Sequence, residues 1–483
     1  MKNVVRILRG LCLAFCVALP IFTSSTVHVH ADGPTVNVWV TNPDLSLALS
    51  QQAPISFDNS NTGDRTLYVD DTRTYQSWDG VGGTMTDSSA WLIENRLNSD
   101  QRNALMNNLF GYGDSALGLN FIRVPMGASD FSVSGNYSYD DNGPDPQLNN
   151  FSTSHDDAYL IPALQQAQQI NGAIKFLGSP WSAPGWMKDG GSGPLNLNGG
   201  SFNSDYADSL ANYITRFVQD YNNKGVSIWG ITPQNEPQNS GPNYPTMYMS
   251  ASQQADLIAN HLGPALANLG LGTKILIYDH NWGDQSGGTV SYPQDVLSNS
   301  QAYNYITGTA FHCYNGDSSG QKVVQNAYPE KDIYFDECTQ TADNSHPFQS
   351  TMDLVVRVPR NAGKTVTLFN LALDTNYGPQ NNGCSNCRAL VTIDQNTGNV
   401  TYNQEYYALG HISKFVQRGA VNIATDDFGS GNIRTVGFLN PDNSKVLIAY
   451  NDGTSATTFN ISWQGQTFSY TLNGGAAATF VWN

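Results

Sequence analysis

Two glutamates stand where carboxylate chemistry could be done. Glu236 sits in I-T-P-Q-N-E-P, just after the apolar run V-S-I-W-G-I, and Glu337 closes D-I-Y-F-D-E. Each follows a short apolar, β-rich run, so each leaves the end of a strand. A pair of carboxyl groups facing across a cleft is what cleavage of a glycosidic bond needs. One protonates the leaving oxygen while the other attacks carbon or guides water. Alone, Glu236 reads equally well as a solvated loop acid; the second acid, 101 residues on, favours the paired reading. Pleat alternation turns only one of Asp336 and Glu337 inward, so either could be the partner.

Such a pair needs a rigid frame, and the sequence spells one out. The strand candidates are Y-Q-S-W-D-G-V-G-G, N-F-I-R-V-P-M, A-I-K-F-L-G-S, V-S-I-W-G-I-T, K-I-L-I-Y-D-H, G-T-A-F-H-C-Y, D-I-Y-F-D-E-C and V-T-L-F-N-L-A-L. Between them, S-S-A-W-L-I-E-N-R-L, A-Y-L-I-P-A-L-Q-Q-A-Q-Q-I and Y-A-D-S-L-A-N-Y-I-T-R-F repeat apolar residues at three and four positions, as helices with one buried face do. Eight strands alternating with helices predict a closed (β/α)8 TIM barrel. A doubly wound open sheet is the rival, but no glycine-rich phosphate loop follows the first strand at dinucleotide spacing. After Lys414 the pattern changes to period two with Asn, Asp and Gly turns, the mark of an all-β module. The early V-N-V-W-V-T is strand-like and is expected to pair with it. The predicted organisation is an export signal at 1–31, an N-terminal strand and lead-in at 32–75, the catalytic barrel at 76–410 and a side β-sandwich domain at 411–483.

Barrel active sites are built at the C-terminal ends of the strands. The residues this rule selects are Arg123 and Asp130 from strand two, Trp181 and Trp186 from three, Asn235 and Glu236 from four. Strand five supplies Asp279, His280 and Trp282, strand six His312 and Tyr314, strand seven Asp336 and Glu337, and strand eight Phe369. Strands four and seven face one another across the mouth. Asn235 could bind a sugar hydroxyl beside Glu236, and the charge of Arg123 would keep Glu337 ionised, which favours Glu337 as the nucleophile. Trp181 and Trp186 are either core residues or a sugar platform. His280 and His312 lack a third ligand at recognisable spacing, so they are read as hydrogen-bond donors and no metal or cofactor is expected.

Composition bounds the partners. The formal charge is −17 with only 23 Lys and Arg, which argues against nucleic acid and anionic membranes, since both need basic patches. A neutral, stacking substrate suits 24 Tyr and 9 Trp. A basic start, the apolar run L-C-L-A-F-C-V-A-L-P-I-F and V-H-A before Asp32 form a secretory signal, too short to span a bilayer. The expected protein is secreted, not membrane-inserted, and monomeric. Four cysteines remain after the signal. Cys384 and Cys387 would close a tight loop, while Cys313 and Cys338 are either a bridge between neighbouring strands or two buried thiols. A zinc site is unsupported, because C-S-N-C has no second ligand pair.

Taken in order, D-G-V-G-G-T-M-T-D-S-S-A, F-I-R-V-P-M-G-A-S-D-F-S, S-P-W-S-A-P-G-W-M-K, T-P-Q-N-E-P, F-H-C-Y, Y-F-D-E-C-T and G-H-I-S-K-F resemble glycoside hydrolase family 30, which includes glucosylceramidase. They cover all eight barrel segments, and the flanking strands look like that family's side β-domain. W-M-K-D-G-G with N-L-N-G-G, Q-N-E-P-Q-N-S-G-P-N-Y-P-T, Y-D-H-N-W and C-S-N-C-R-A-L-V-T resemble its endo-β-1,6-glucanases. The resemblance implies a retaining hydrolase of β-1,6-glucan, with Glu236 as acid/base and Glu337 as nucleophile. It also places Arg123, Asp130, Trp181, Asn235, His312 and Tyr314 around the sugar. Glucosylceramidase-like members carry Trp where this chain has Phe369. An exo-acting β-glucosidase or glucosylceramidase is the alternative of the same class, and a catalytically inactive carbohydrate-binding protein that of another.

Overall fold

Eight short parallel strands carry the candidate residues: β1 (Gly80–Gly83), β2 (Phe121–Met126), β3 (Lys175–Pro180), β4 (Ile228–Ile231), β5 (Lys274–Asn281), β6 (Ile306–His312), β7 (Asp332–Glu337) and β8 (Thr365–Leu368). Strands β2 to β7 form one parallel sheet in sequence order, and β8 pairs with β1. Bridges Thr84–Arg123 and Ile333–Gly363 join β1 to β2 and β7 to β8, which closes the barrel. The structure is a computed structural model that describes residue 1, residues 33–284 and residues 290–483. The expected signal segment, apart from Met1, lies outside the described residues. Among the described residues no helix is long and apolar enough to cross a membrane.

Strand β1 is three-quarters glycine because β2 runs hard against it. A Cβ on Gly82 would lie 1.6 Å from the carbonyl oxygen of Phe121, so no larger residue fits. This corrects the expected first strand. Tyr75–Ser77 finish the sandwich strand Thr66–Ser77, and only the glycine run enters the barrel.

The barrel is filled rather than hollow. Phe121, Leu177, Leu276, Ala310 and Tyr334 meet in a closed apolar layer with Trp229 against it. Above that plug the interior turns polar: Arg123, Ser179, Asp279, His312 and Asp336 are all buried. The expected helices form at Asp87–Arg96, Leu160–Ile170 and Ala207–Asn223. Their apolar faces, with Leu92, Ile93, Leu164, Ile214 and Phe217 buried, join the core outside the strands. Each such side chain stabilises by about 1.5–3 kcal/mol relative to exposure.

The β-domain is made from both chain ends. Thr35–Thr41 pairs antiparallel with Ala477–Trp482, Val38 opposite Phe480. Lys445–Asn451, Ile433–Leu439, Val421–Thr425, Thr66–Ser77, Thr457–Trp463 and Gln466–Leu472 continue the sheet from there. Its own core contains Val36, Val38, Leu67, Phe459, Ile461, Phe480 and Trp482. The domain docks on the barrel helix Gln404–Ser413 through His411, whose ring nitrogens meet Thr479 and Thr41 hydroxyls at 2.9 Å each.

Candidate active site

At the C-terminal mouth of the barrel a cavity of about 300 Å³ is lined by Asp130, Trp181, Asn235, Glu236, Tyr244, Tyr314, Glu337, Thr339, Thr341, Phe369, Cys384 and Cys387. Larger hollows of about 360, 320 and 410 Å³ lie elsewhere, and none of the three is lined by a pair of acids. The chemistry therefore belongs to the smaller one.

The two glutamates converge there from β4 and β7. One carboxylate oxygen of each, and one ring nitrogen of His312, all lie within 4.8 Å of one another. Glu236 is held on a backbone of φ 45°, in the left-handed region that non-glycine residues rarely adopt. Its N–H donates to the carbonyl of Asp279 at 2.8 Å, and Asp279 itself has φ 57°. Asn370, just past β8, has φ 71°. Backbone outliers of this kind persist where surrounding structure over-determines them; here Glu236 lines the cavity, Asp279 is bonded to it and Asn370 follows the cavity residue Phe369.

Beneath the pair lies a network centred on Arg123. Its guanidinium donates to Glu337 through Nη1. Through Nη2 it reaches Asn235 Oδ1 at 2.7 Å and Asp279 Oδ1 and Oδ2 at 2.9 and 2.8 Å. His312 spans the pair's other side, with Nδ1 at 3.2 Å from Glu236 Oε1 and Nε2 at 2.8 Å from Asp279 Oδ1. Asn239 donates to Glu236 Oε2 at 2.9 Å, and the Tyr314 hydroxyl donates to Glu337 Oε1 at 3.0 Å.

The choice between Asp336 and Glu337 is decided by a bulge. Phe311 pairs with Phe335, then His312 pairs with Glu337, so Asp336 is the extra residue. Glu337 enters the cavity, and Asp336 is fully buried, 3.4 Å from Arg123 Nε. A regular pleat would not have allowed both to face inward.

Electrostatics separate the two cavity acids. Burial pushes Glu236 up, but the charge of His280 and the hydrogen bond and charge of His312 outweigh it and hold the group at about 2. Burial lowers His280 itself, so its share acts only while that ring is protonated, and His312 is the firmer cause. At Glu337 burial, joined by the charge of Glu236, outweighs His312 and Arg123, and the group is raised. His312 resists its own desolvation through Glu337, Asp279 and Glu236 and is raised well above the usual histidine range. The two opposite shifts favour the proton of the Glu236–His312 bond on the histidine side. Asp130 is raised well above the carboxylate range by burial and by the charge of Glu337. Its Oδ1 is buried without a partner.

Of the sequence-expected residues, Asp130, Trp181, Asn235, Glu236, Tyr314, Glu337 and Phe369 meet at the cavity. Trp181 stacks on Phe369 with centroids 5.9 Å apart and has the Arg123 guanidinium 4.6 Å from its ring. Arg123, Asp279 and His312 are fully buried and hold the acids from below. His280 lies between the two groups, its Nε2 3.9 Å from Glu236. The Trp282 indole donates to Gln321 at 2.7 Å and stacks on Phe335, outside the cavity lining. Trp186 donates to the carbonyl of Asp140 and packs on Tyr206, outside the cavity lining. Missed were Asn239, Tyr244, Thr339, Thr341 and the two cysteines of C-S-N-C. Asn239 and Thr339 lie three and two residues past the glutamates, so proximity in sequence was a usable signal. Cys384–Cys387 and Cys313–Cys338 are both disulfides, which removes the two-thiol alternative.

Among the described residues, Glu236–His312–Glu337 and Asp279–His312–Asp336 have ligand atoms close enough to share a metal ion. Arg123 already contacts Asp279, Asp336 and Glu337. A divalent ion would have to share those oxygens with a guanidinium.

A closed parallel barrel with paired acids and a stacked aromatic wall at its mouth defines a glycoside hydrolase. Residues 78–416 match the glycosyl hydrolase family 30 TIM-barrel domain, and residues 419–480 match that family's β-sandwich domain. The chain is similar to endo-1,6-beta-D-glucanase neg1 of Aspergillus fumigatus, 36% identical over 410 residues covering 80% of this chain and 81% of the relative. It is 37% identical to an endo-1,6-beta-D-glucanase of Neurospora crassa over 408 residues, with the same shares. The solved endo-beta1,6-glucanase BT3312 superposes with a TM-score of 0.85 at 29% identity, covering 93% of this chain and 99% of that one. The protein belongs to glycosyl hydrolase family 30.

Proposed function

We propose that this protein is a secreted retaining hydrolase that cleaves β-1,6-glucosidic bonds within glucan chains, with Glu337 as nucleophile and Glu236 as acid/base. One observation supports the mechanism: one oxygen of each carboxylate lies within 4.8 Å of one oxygen of the other. Retaining enzymes hold their carboxyl groups about 5–5.5 Å apart, whereas inverting ones leave about 6.5–9.5 Å for a water. The linkage rests on the near full-length similarity to named endo-1,6-β-glucanases. Export is supported by the two disulfides, which persist in oxidising compartments.

In the first step a Glu337 oxygen bonds to the anomeric carbon as the bond to the leaving oxygen breaks. That oxygen takes a proton from Glu236. The proton reaches Glu236 from His312 Nδ1 across their 3.2 Å bond once a sugar fills the cavity and excludes water. Arg123 and Tyr314 prepare Glu337 by donating to its two oxygens, one each, which favours the charged form. In the second step a water gives its proton to Glu236 while its oxygen attacks the anomeric carbon. The ester bond to Glu337 breaks, and the β configuration is restored. The low affinity of Glu236 for protons suits neither step alone, but proton exchange with His312 lets one residue serve as acid and then base.

Digestion of β-1,6-, β-1,3- and β-1,4-glucans with product chromatography tests the reading. A ladder of oligosaccharides from the β-1,6 polymer alone is expected. Glucose released singly from chain ends would exclude endo action, and preference for another linkage would exclude the substrate.

A further inference from the structure

Part of the cavity wall is made by a loop that has no helix or strand of its own. It runs from Asn381 to Arg388 after β8, and it is anchored at both ends to loops that carry site residues. At one end Asn381 N–H donates to the carbonyl of Asp130 at 2.7 Å, and its side-chain amide donates to Ser129 O at 3.1 Å and Asn136 Oδ1 at 2.8 Å. Gly383 lies so close to Asp130 that a Cβ there would come within 2.4 Å of the aspartate's own Cβ. At the other end Ala342 N–H donates to Asn386 O and Arg388 N–H donates to Gln340 O, each at 2.8 Å. Thr341 and Cys387 form a two-residue bridge, and Arg388 is paired with Glu405.

Between the anchors, Cys384 and Cys387 are joined. A four-residue ring is thereby drawn tight over the gap between the β2 exit and the β7 exit, beside Thr339 and Thr341. Both cysteines line the cavity, and both pack with Trp181 and Phe369 in one small apolar cluster. The disulfide thus presents polarisable sulfur next to an aromatic wall, a surface suited to the C–H face of a sugar. Next to the ring, Asn381 and Gly383 hold the Asp130 segment in place, and Asp130 Oδ1 is buried with no hydrogen-bond partner among the described residues.

We propose that the Cys384–Cys387 loop is a specificity-determining element: its disulfide forms part of the sugar-binding wall and sets the position of Asp130. The inference rests on the glycosidase reading above. It requires that the loop act on substrate binding, not only on folding.

The test is the double variant Cys384→Ala/Cys387→Ala, with Cys384→Ser/Cys387→Ser as a second version. Both leave Cys313–Cys338 intact. KM, kcat and melting temperature are measured beside the wild type on β-1,6-, β-1,3- and β-1,4-glucans. The expected result is a rise in KM of about tenfold on the best substrate, the loss of one good contact, with a much smaller change in kcat. The ratio of kcat/KM between the best and second-best glucan should narrow as well. Unchanged KM and unchanged ratios in folded variants, whatever the melting temperature, would overturn the inference while leaving the glycosidase reading in place. If the wild type prefers another glucan, the substrate reading fails and the loop is judged on that glucan. If the wild type cleaves none of the three, the glycosidase reading fails and this inference falls with it. Should both variants fail to fold, the wild type with Cys384–Cys387 reduced and alkylated, confirmed by peptide mass, replaces them with the same criteria.

Discussion

Arg123 and Asp279 form an ion pair at 2.8 Å in which neither side chain touches solvent, directly beneath the two cavity acids. The same guanidinium contacts Glu337 and lies 3.4 Å from Asp336. One cation on β2 therefore serves carboxylates from β5 and β7, and the Thr232 hydroxyl completes Asp279 at 2.6 Å.

Removing that cation should be far more damaging than removing a surface charge. Arg123→Met leaves buried carboxylates unpaired, which costs about 3–5 kcal/mol of stability. Arg123→Lys keeps the charge but not the fork that reaches Glu337, Asn235 and Asp279 together. It should fold and lose roughly a hundredfold or more in kcat. Denaturant melts and steady-state kinetics on the same samples check both; near wild-type kcat in Arg123→Lys would contradict the positioning role.

The Cys313–Cys338 bridge joins the residue between His312 and Tyr314 to the residue after Glu337. It closes a segment with a separation of 25 residues. Replacing both cysteines by alanine should lower stability by about 3 kcal/mol on the chain-entropy model. It should also slow turnover well below the melting temperature, because Tyr314 loses its fixed approach to Glu337. A lower melting point with full kcat would mean that the bridge is structural only.

His411 gives a pH prediction away from the site. Burial, without a charged partner, pushes it down to about 3. Unfolded histidine binds a proton near 6.5. Between those values the unfolded chain takes up a proton that the folded chain refuses, so stability must fall as the pH drops from about 6.5 toward 3, at up to about 1.4 kcal/mol per unit. His411→Gln, which keeps hydrogen bonding to Thr41 and Thr479, should flatten the acid limb of melting temperature against pH. An unchanged limb would assign acid sensitivity to other groups.

The stacked wall gives a fourth expectation. Trp181 lies between Phe369 and the Arg123 guanidinium and lines the cavity. Trp181→Ala should cost about 3–5 kcal/mol as a core truncation and raise KM sharply. Phe369→Trp tests whether that wall has room for a larger ring. Overpacking costs about 1–3 kcal/mol, so a destabilised but active variant is expected.

The barrel was legible because alternation of strand and helix is a periodic signal, and strand ends then select site positions without further knowledge. The rule failed where local geometry breaks regularity. Strand β1 could not be bounded, since the glycine run takes its place from the close approach of Phe121 rather than from any pattern of its own. The choice between Asp336 and Glu337 depended on a bulge that no alternation reveals. Trp282 follows a strand end as Trp181 does, yet it turns into the core because Gln321 offers its indole a partner. The C-S-N-C loop reached the cavity through contacts with Asp130 and Gln340, which lie some 250 and 40 residues away along the chain.

Glu337 is expected to bond covalently to the sugar while Glu236 moves the proton. A 2-deoxy-2-fluoro-β-glucosyl fluoride, or its gentiobiosyl counterpart, slows breakdown of such an ester so that it can be weighed by peptide mass spectrometry. The account predicts one added glycosyl unit on the peptide containing Glu337, absent in Glu337→Gln, with β-configured first product from unlabelled substrate by NMR. Label on another residue, or an α-configured first product, would contradict it.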